Sequence, residues 1–148
     1  MYLDAQVMFS NNQSLVGAAG TTNSTNVIDT TVVLPHAIGD GRDVEIEAFI
    51  QTTFVGGTSL QMQLVTADDA ALTVNFQALN VTAVLPESML TAGSSHFKQA
   101  ISRGQVRRYI ALQYITLGTH TAGTITSGLN LDRQEFNAYA SGLNTAGY

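Results

Sequence analysis

Apolar and polar residues alternate along much of this chain, most clearly in two neighbouring segments. In residues 43–54 and again in residues 59–66, apolar side chains recur at nearly every second position, with Glu, Gln or Thr between them. A period of two residues predicts β-strands with one buried face. Residues 55–58 include two glycines and predict a hairpin turn between these strands. The positions assigned to the core are Val44, Ile46, Ala48, Ile50, Phe54, Leu60, Met62 and Leu64.

Weaker alternation predicts further short strands, separated by turns rich in Gly, Asp and Ser. The whole set is eight or nine strands at spacings of about 8–12 residues, which is typical of a β-sandwich or barrel. Residues 11–25 are small and polar and predict a loop, while residues 135–143 fit either a short helix or an extended tail. We expect one domain over residues 1–148, with extended termini at about 1–10 and 133–148. The further strands are predicted at residues 3–9, 26–34, 72–78, 81–85, 96–101, 107–117 and 121–132.

The strand predicted at residues 107–117 is apolar on both faces. Ile110, Leu112 and Tyr114 share one face, which we assign to the core. The opposite face is then exposed on a lone molecule, and an exposed apolar patch usually marks an interaction site. We therefore expect it to contact another copy of this chain or a different protein. That opposite face carries Tyr109, Ala111, Ile115 and Leu117.

Other residues are candidates for the same interface. Arg107 and Arg108 face opposite sides of the strand, so one can pair with a carboxylate of this chain while the other reaches a partner. Two ordinary surface arginines are the alternative. Phe49 lies out of phase with the core face of its strand. The termini add apolar side chains that either order on a neighbour or pack on their own domain: Tyr2, Met8, Phe136, Tyr139 and Tyr148.

Composition narrows the function. Charged residues make up 11% of the 148 residues, well below the roughly 25% of typical soluble domains. A net charge of −5 with only six Lys and Arg disfavours binding to nucleic acid. Cysteine is absent, so no disulfide or thiolate metal site is expected. No apolar run approaches the roughly 20 residues of a membrane-spanning helix.

Candidate catalytic and metal-binding residues are few and scattered. His36, His96 and His120 form no metal-ligand motif and are interpreted as solvated loop histidines. Ser94 and His96 lie in a polar turn without a nucleophile-elbow pattern. A calcium ion at Asp40, Asp43 and Glu45 stays open but lacks the oxygen ligands that calcium needs. The sequence therefore predicts no enzyme activity, no cofactor and no metal.

Several segments occur in an order that resembles a known family. They are MYLDAQVMFSNNQSL at the start, STNVIDT at residues 24–30, LQMQLVTADD at residues 60–69, RYIALQY at residues 108–114 and TAGTITSGLNLD at residues 121–132. Together they resemble the capsid cement (decoration) proteins of short-tailed bacteriophages, of the Bordetella-phage type. The resemblance covers most of the chain and includes no catalytic signature.

This resemblance implies a fold, a location and partners. The fold would be a jelly-roll sandwich of two antiparallel four-stranded sheets. The protein would be made in the bacterial cytoplasm and sit on the outer surface of an icosahedral phage head. There it would bridge subunits of the major capsid protein, as a homo-oligomer and more readily as a dimer than a trimer. No catalytic, cofactor or contact residue is carried over from the family.

Two rival functions remain open from sequence. One is a carbohydrate- or receptor-binding jelly-roll module of a phage tail or fibre, for which the absence of Trp leaves only Tyr and Phe to stack on a sugar. The other is an enzyme on a cupin-like barrel, which metal analysis of the purified protein would test.

Overall fold

The computed structural model describes residues 5–33, 44–101 and 104–130, which form an all-β fold. One large antiparallel sheet joins eight strands. Three short helical turns accompany them, at Ala5–Val7, Thr30–Val33 and Glu87–Met89. Within the described ranges, no helix has the length and apolarity to cross a membrane. The strands are β1 (Met8–Ser14), β2 (Gly20–Asn23), β3 (Ile28–Asp29), β4 (Glu45–Ala67), β5 (Gln77–Val81), β6 (Leu85–Pro86), β7 (Ser95–Ala100) and β8 (Tyr109–Asn130).

Two long strands organise the sheet. β4 and β8 run antiparallel along almost their whole length, with Glu45 opposite Asn130 at one end and Ala67 opposite Tyr109 at the other. The six shorter strands all pair with one of these two. β1, β2 and β3 pair with β8, while β5, β6 and β7 pair with β4.

Both long strands bend in the middle. The β4–β8 register is irregular between Ile50 and Ser59. Gly56, Gly118 and Gly123 there have φ angles of +88°, +80° and +145°, a conformation that L side chains rarely adopt. These bulges turn each strand into two arms.

The arms of β8 fold back so that they face each other. The Tyr114 hydroxyl lies 2.6 Å from the Ser127 hydroxyl of the same strand and 2.7 Å from that of Ser10 on β1. Thirteen residues of straight strand would separate Tyr114 and Ser127 by about 43 Å at ~3.3 Å per residue. The bent sheet therefore forms two layers. The first layer contains β1, β7, residues 45–50 and residues 124–130; the second contains β2, β3, β5, β6, residues 59–67 and residues 109–117.

One hydrophobic core fills the space between the layers. It takes side chains from both layers, including Phe9, Phe97 and Tyr114. All eight core positions assigned from the alternation in residues 43–54 and 59–66 are buried, so that prediction is confirmed. The face assignment of Ile110, Leu112 and Tyr114 is confirmed as well, since each is fully buried.

The predicted hairpin at residues 55–58 is wrong. Residues 43–54 and 59–66 do not pair with each other, because each pairs with a different arm of β8. The glycines bend β4 without reversing it. For the same reason the strands predicted at residues 107–117 and 121–132 are one strand, β8.

Other element predictions are also corrected. The loop predicted at residues 11–25 contains most of β1 and all of β2. The strand predicted at residues 26–34 is only two residues long before a helical turn begins at Thr30. The segment predicted as a strand at residues 72–78 is mostly a loop, and β5 begins at Gln77. The possible helix at residues 135–143 lies outside the described residues.

His120 lies inside the bend, so its interpretation as a solvated loop residue is wrong. Its side chain is 1% exposed, and its ring meets Phe54 edge-on with 5.1 Å between ring centroids. The Nε2 atom lies 3.4 Å from the carbonyl oxygen of Ser59. A Cβ atom at Gly57 would lie 2.0 Å from His120 Cε1. The ring therefore occupies space that only a glycine at position 57 leaves free.

Candidate interaction surface

The outer face of the second layer begins with a covered region. Ala111 is fully buried, so the expectation that it is exposed is wrong. The reason is the loop after β4, which places Leu72 over this face in a small cluster with Val65 and Ala67. Tyr109 packs against that cluster and is half-buried.

Farther along the same face, amide side chains bridge three strands. The Gln63 amide donates to Gln113 at 2.7 Å, and the Gln113 amide donates to Asn23 at 2.8 Å. Ile115 follows and is half-buried, while Leu117 is 57% exposed. Of the four residues predicted to form an exposed apolar patch, only Leu117 is strongly exposed.

Arg107 and Arg108 each pair with a carboxylate of this chain. Arg107 Nη1 lies 3.0 Å from Asp68 Oδ1, and Arg108 Nη2 lies 3.0 Å from Asp29 Oδ2. Arg108 also lies over the Tyr109 ring, 5.0 Å from its centroid. Hydrogen bonds from Arg108 and then Thr31 lower the pKa of the Asp29 carboxyl to about 2. The sequence analysis expected one of the two arginines to stay unpaired within the chain and to contact a partner. Both arginines are instead paired with an Asp of this chain.

The loop at residues 68–76 is tightly organised around the turn that Asp68 and Asp69 predict from sequence. The Asp69 carboxylate accepts hydrogen bonds from the backbone amides of Thr73 and Val74, both at 2.8 Å, and from the Thr73 hydroxyl at 2.7 Å. These bonds lower the pKa of Asp69. The loop holds Val74 and Phe76 in solvent, 51% and 45% exposed.

The first layer carries two of the predicted interface residues. Phe49 lies on the outer face opposite Thr126 of β8, and Met8 lies opposite Gly128. Both are half-buried. The remaining candidates, Tyr2, Phe136, Tyr139 and Tyr148, lie outside the described residues, as do His36, Asp40 and Asp43.

The bend carries exposed apolar residues that the sequence analysis did not single out. Val16 is 54% exposed, and Val55 is 49% exposed opposite Ala122 of β8. Val84 and Met89, in the segment that flanks this part of β4, are 60% and 49% exposed. The sequence pattern predicts a turn at Val55. The pairing of β4 with β8 instead places Val55 opposite Ala122.

Ser94 and His96 contact each other where a local turn enters β7. His96 Nε2 lies 2.8 Å from the Ser94 hydroxyl and 2.8 Å from the Met89 carbonyl oxygen. A carbonyl only accepts, so Nε2 carries a proton and donates. The Ser94 hydroxyl itself donates to the Thr91 carbonyl at 2.6 Å. This arrangement stabilises the turn, and a protonated Nε2 cannot act as a base toward Ser94.

Comparison with known proteins identifies the family. The model of the family described as Bbp16 matches residues 9–129, which is most of the chain. The chain belongs to the Bbp16 family. The family name indicates a protein of a Bordetella phage, which is consistent with a phage origin for this chain. No curated protein matches the chain.

The Bbp16 match encloses the folded layers. It begins at Phe9 in β1 and ends at Leu129, one residue before the end of β8. It therefore includes the bend, both arms of each long strand, and the interface candidates Phe49, Arg107, Arg108, Tyr109, Ile115 and Leu117. Met8 and the other terminal candidates lie beyond it.

Proposed function

We propose that this Bbp16-family protein is a structural virion protein that cements the outside of a tailed-phage head. The observation that supports this most is the Bbp16 match over residues 9–129, together with the resemblance of the sequence to phage cement proteins. We further propose that the bent sheet is a jelly roll, with two layers that are each four strands wide. In this reading β4 and β8 each contribute one arm to both layers.

The proposed mechanism is bridging. One cement molecule that contacts two or more subunits of the major capsid protein turns separate weak contacts into a multivalent one. A molecule that binds the assembled shell better than free subunits stabilises the shell by linkage. Self-association, as a dimer, would raise the number of shell contacts per bound particle.

Features of the described residues suit this role. The described part of the chain leaves apolar side chains exposed on its outer surface, such as Leu117, Val16 and Val55. Val55 and Leu117 lie on the paired strands β4 and β8, and Val16 lies beside the pair formed by Gly17 and His120. Rigid anchors lose little conformational freedom on binding, which favours association.

Co-sedimentation with phage heads tests the proposal. Purified protein would be mixed with heads assembled without it, while light scattering after size exclusion gives the state of the free protein. Saturable binding at a fixed ratio to the major capsid protein is the expected result. Absence of binding to heads, combined with specific binding on a glycan array, would replace this function with that of a receptor-binding module.

A further inference from the structure

Charged side chains are unevenly distributed in this fold. We define the bend end as residues 15–22, 52–60 and 116–124, which contain no Asp, Glu, Lys or Arg. In the described ranges, every charged residue except Glu87 lies toward the opposite end of the fold. At that end the first and last residues of β4 and β8 lie together. This charged end carries Asp29, Glu45, Glu47, Asp68, Asp69, Lys98, Arg107 and Arg108.

Glu87 is the charged residue of the described ranges that lies beside the bend end. Its Oε1 atom accepts a hydrogen bond from the backbone amide of Gly56 at 3.0 Å. The charge is thus directed at the backbone of the bend, and the side chain is half-buried.

The bend end also presents apolar side chains in neighbouring positions. Val55 lies directly opposite Ala122 of β8. The Leu15 backbone amide donates a hydrogen bond to the Gly123 carbonyl, and Gly17 pairs with His120. Val16 therefore lies beside Ala122, on the side away from Val55. Val16, Ala122 and Val55 therefore form a row across three chain segments. Three further exposed apolar side chains lie in or beside the bend end: Leu117, which pairs with Ser59, and Val84 and Met89, which flank the short strand β6 paired with Ser59 and Leu60.

Building on the proposed cement function, we propose that the bend end is the surface that docks on the outer shell of the head. The charged end then faces solvent. Burying the charged end would remove ionised side chains from water, which is costly unless each is matched by a partner. Burying the bend end removes mainly apolar groups, hydroxyls and backbone from water, and the one carboxylate beside it in the described residues, Glu87, already accepts a hydrogen bond from Gly56. The shell surface that receives it is expected to be uncharged and partly apolar.

The apolar surface of the bend end is small, which favours the phage shell over a second copy of this chain as its binding partner. A fully exposed Val, Leu or Met side chain offers about 60–120 Å² of apolar surface. Five such side chains, each about half exposed, offer roughly 150–300 Å². A stable pair of free proteins buries about 800 Å² on each partner, more than half of it apolar. The bend end is too small for that, but suffices where one oligomer makes several such contacts with a repeating lattice.

Salt dependence of head binding gives a first test with the unmodified protein. Contacts through an uncharged surface should weaken less than about twofold between ~0.05 M and ~1 M NaCl, because screening acts only on charges. Docking through the charged end should instead weaken about tenfold or more over the same range, and that result overturns the proposed orientation.

Matched variants give the second test. Val55→Asp and Leu117→Asp place a charge on two different strands of the bend end, and each should weaken co-sedimentation with heads at least about tenfold. Val74→Asp and Phe76→Asp make the same change at similarly exposed positions of the charged end and should bind like the wild type. Circular dichroism confirms that each variant is folded.

The outcomes separate two failures. If the wild type does not bind heads at all, the proposed cement function itself fails. If the wild type binds while both bend-end variants bind equally well, only the orientation fails. Equal loss in both pairs of variants also overturns the orientation.

Discussion

The close approach of the His120 ring to Gly57 leads to a quantitative prediction. A Cβ atom at position 57 would lie 2.0–2.4 Å from three atoms of the His120 ring. Carbon atoms pack at about 3.5–4.0 Å, so the overlap is about 1.5 Å or more. The ring is 1% exposed and packed edge-on against Phe54, so it has no free space to move into.

Gly57→Ala should therefore be strongly destabilising. We expect a loss near the upper end of the about 1–3 kcal/mol typical of overpacking. For a chain of this size, about 3 kcal/mol corresponds to a fall in Tm of roughly 6–12 °C. The measurement is urea unfolding followed by circular dichroism, with thermal melting in parallel. Gly20→Ala is the matched control, because a Cβ there meets no atom within 4 Å, and it should change stability by less than about 0.5 kcal/mol.

A double-mutant cycle isolates the steric cause. His120→Ala removes the ring and is destabilising by itself, since it leaves a cavity beside Phe54. In that background, Gly57→Ala should cost less than about 1 kcal/mol, because the Cβ atom now has room. An equal cost of Gly57→Ala with and without the histidine ring would refute the reasoning.

Three further predictions concern side chains that are buried, ion-paired or hydrogen-bonded to the backbone. Tyr114→Phe should cost about 1–3 kcal/mol in urea unfolding, because it removes the partner of the buried Ser127 hydroxyl; a loss below ~0.5 kcal/mol would contradict this. The Asp29 carboxyl should titrate with a pKa near 2 rather than 3.8 by NMR. Since the folded pKa is lowered, its stabilising contribution is present above about pH 4 and is lost as pH falls toward 2, and Asp29→Asn should remove that dependence. Asp69→Ala should speed hydrogen exchange at the amides of Thr73 and Val74, and unchanged exchange would count against a carboxylate-fixed loop.

The core was predictable from sequence because alternation fixes which side chains share a face. Ile46, Met62 and Leu112 were assigned correctly whether their segments were separate strands or arms of one strand. Period-two patterning depends only on local backbone geometry. It is insensitive to the identity of the partner strand.

Which strands pair with each other was not predictable, because pairing depends on residues that are distant in the sequence. Gly56 and Gly57 between two alternating segments fit a hairpin turn or a bend equally well, and the choice depends on β8, which lies far away in sequence. The matching glycines at positions 118 and 123 were the available signal, since paired strands that bend together need glycines on both.

The candidate surface was only partly predictable. Leu117 is exposed as expected, but Ala111 is covered because Leu72 adopts a φ of +58° that propensity alone does not predict for a bulky residue. Val16 and Val55 are exposed because they lie at the bend. Their exposure could not be predicted from a sequence in which the bend itself was not recognised.

The dominance of the β4–β8 ladder has a consequence for how this chain folds. Each of the six short strands pairs with a long strand, so each depends on that strand for its backbone partners. The β4–β8 ladder joins segments that are far apart in the sequence. Ala67 pairs with Tyr109 at one end of the ladder, and Glu45 pairs with Asn130 at the other. Large loops must therefore close before most native contacts can stabilise the chain. We expect slow refolding with little structure until β8 has been synthesised, and a ribosome-bound chain ending before Tyr109 should remain protease-sensitive along its whole length.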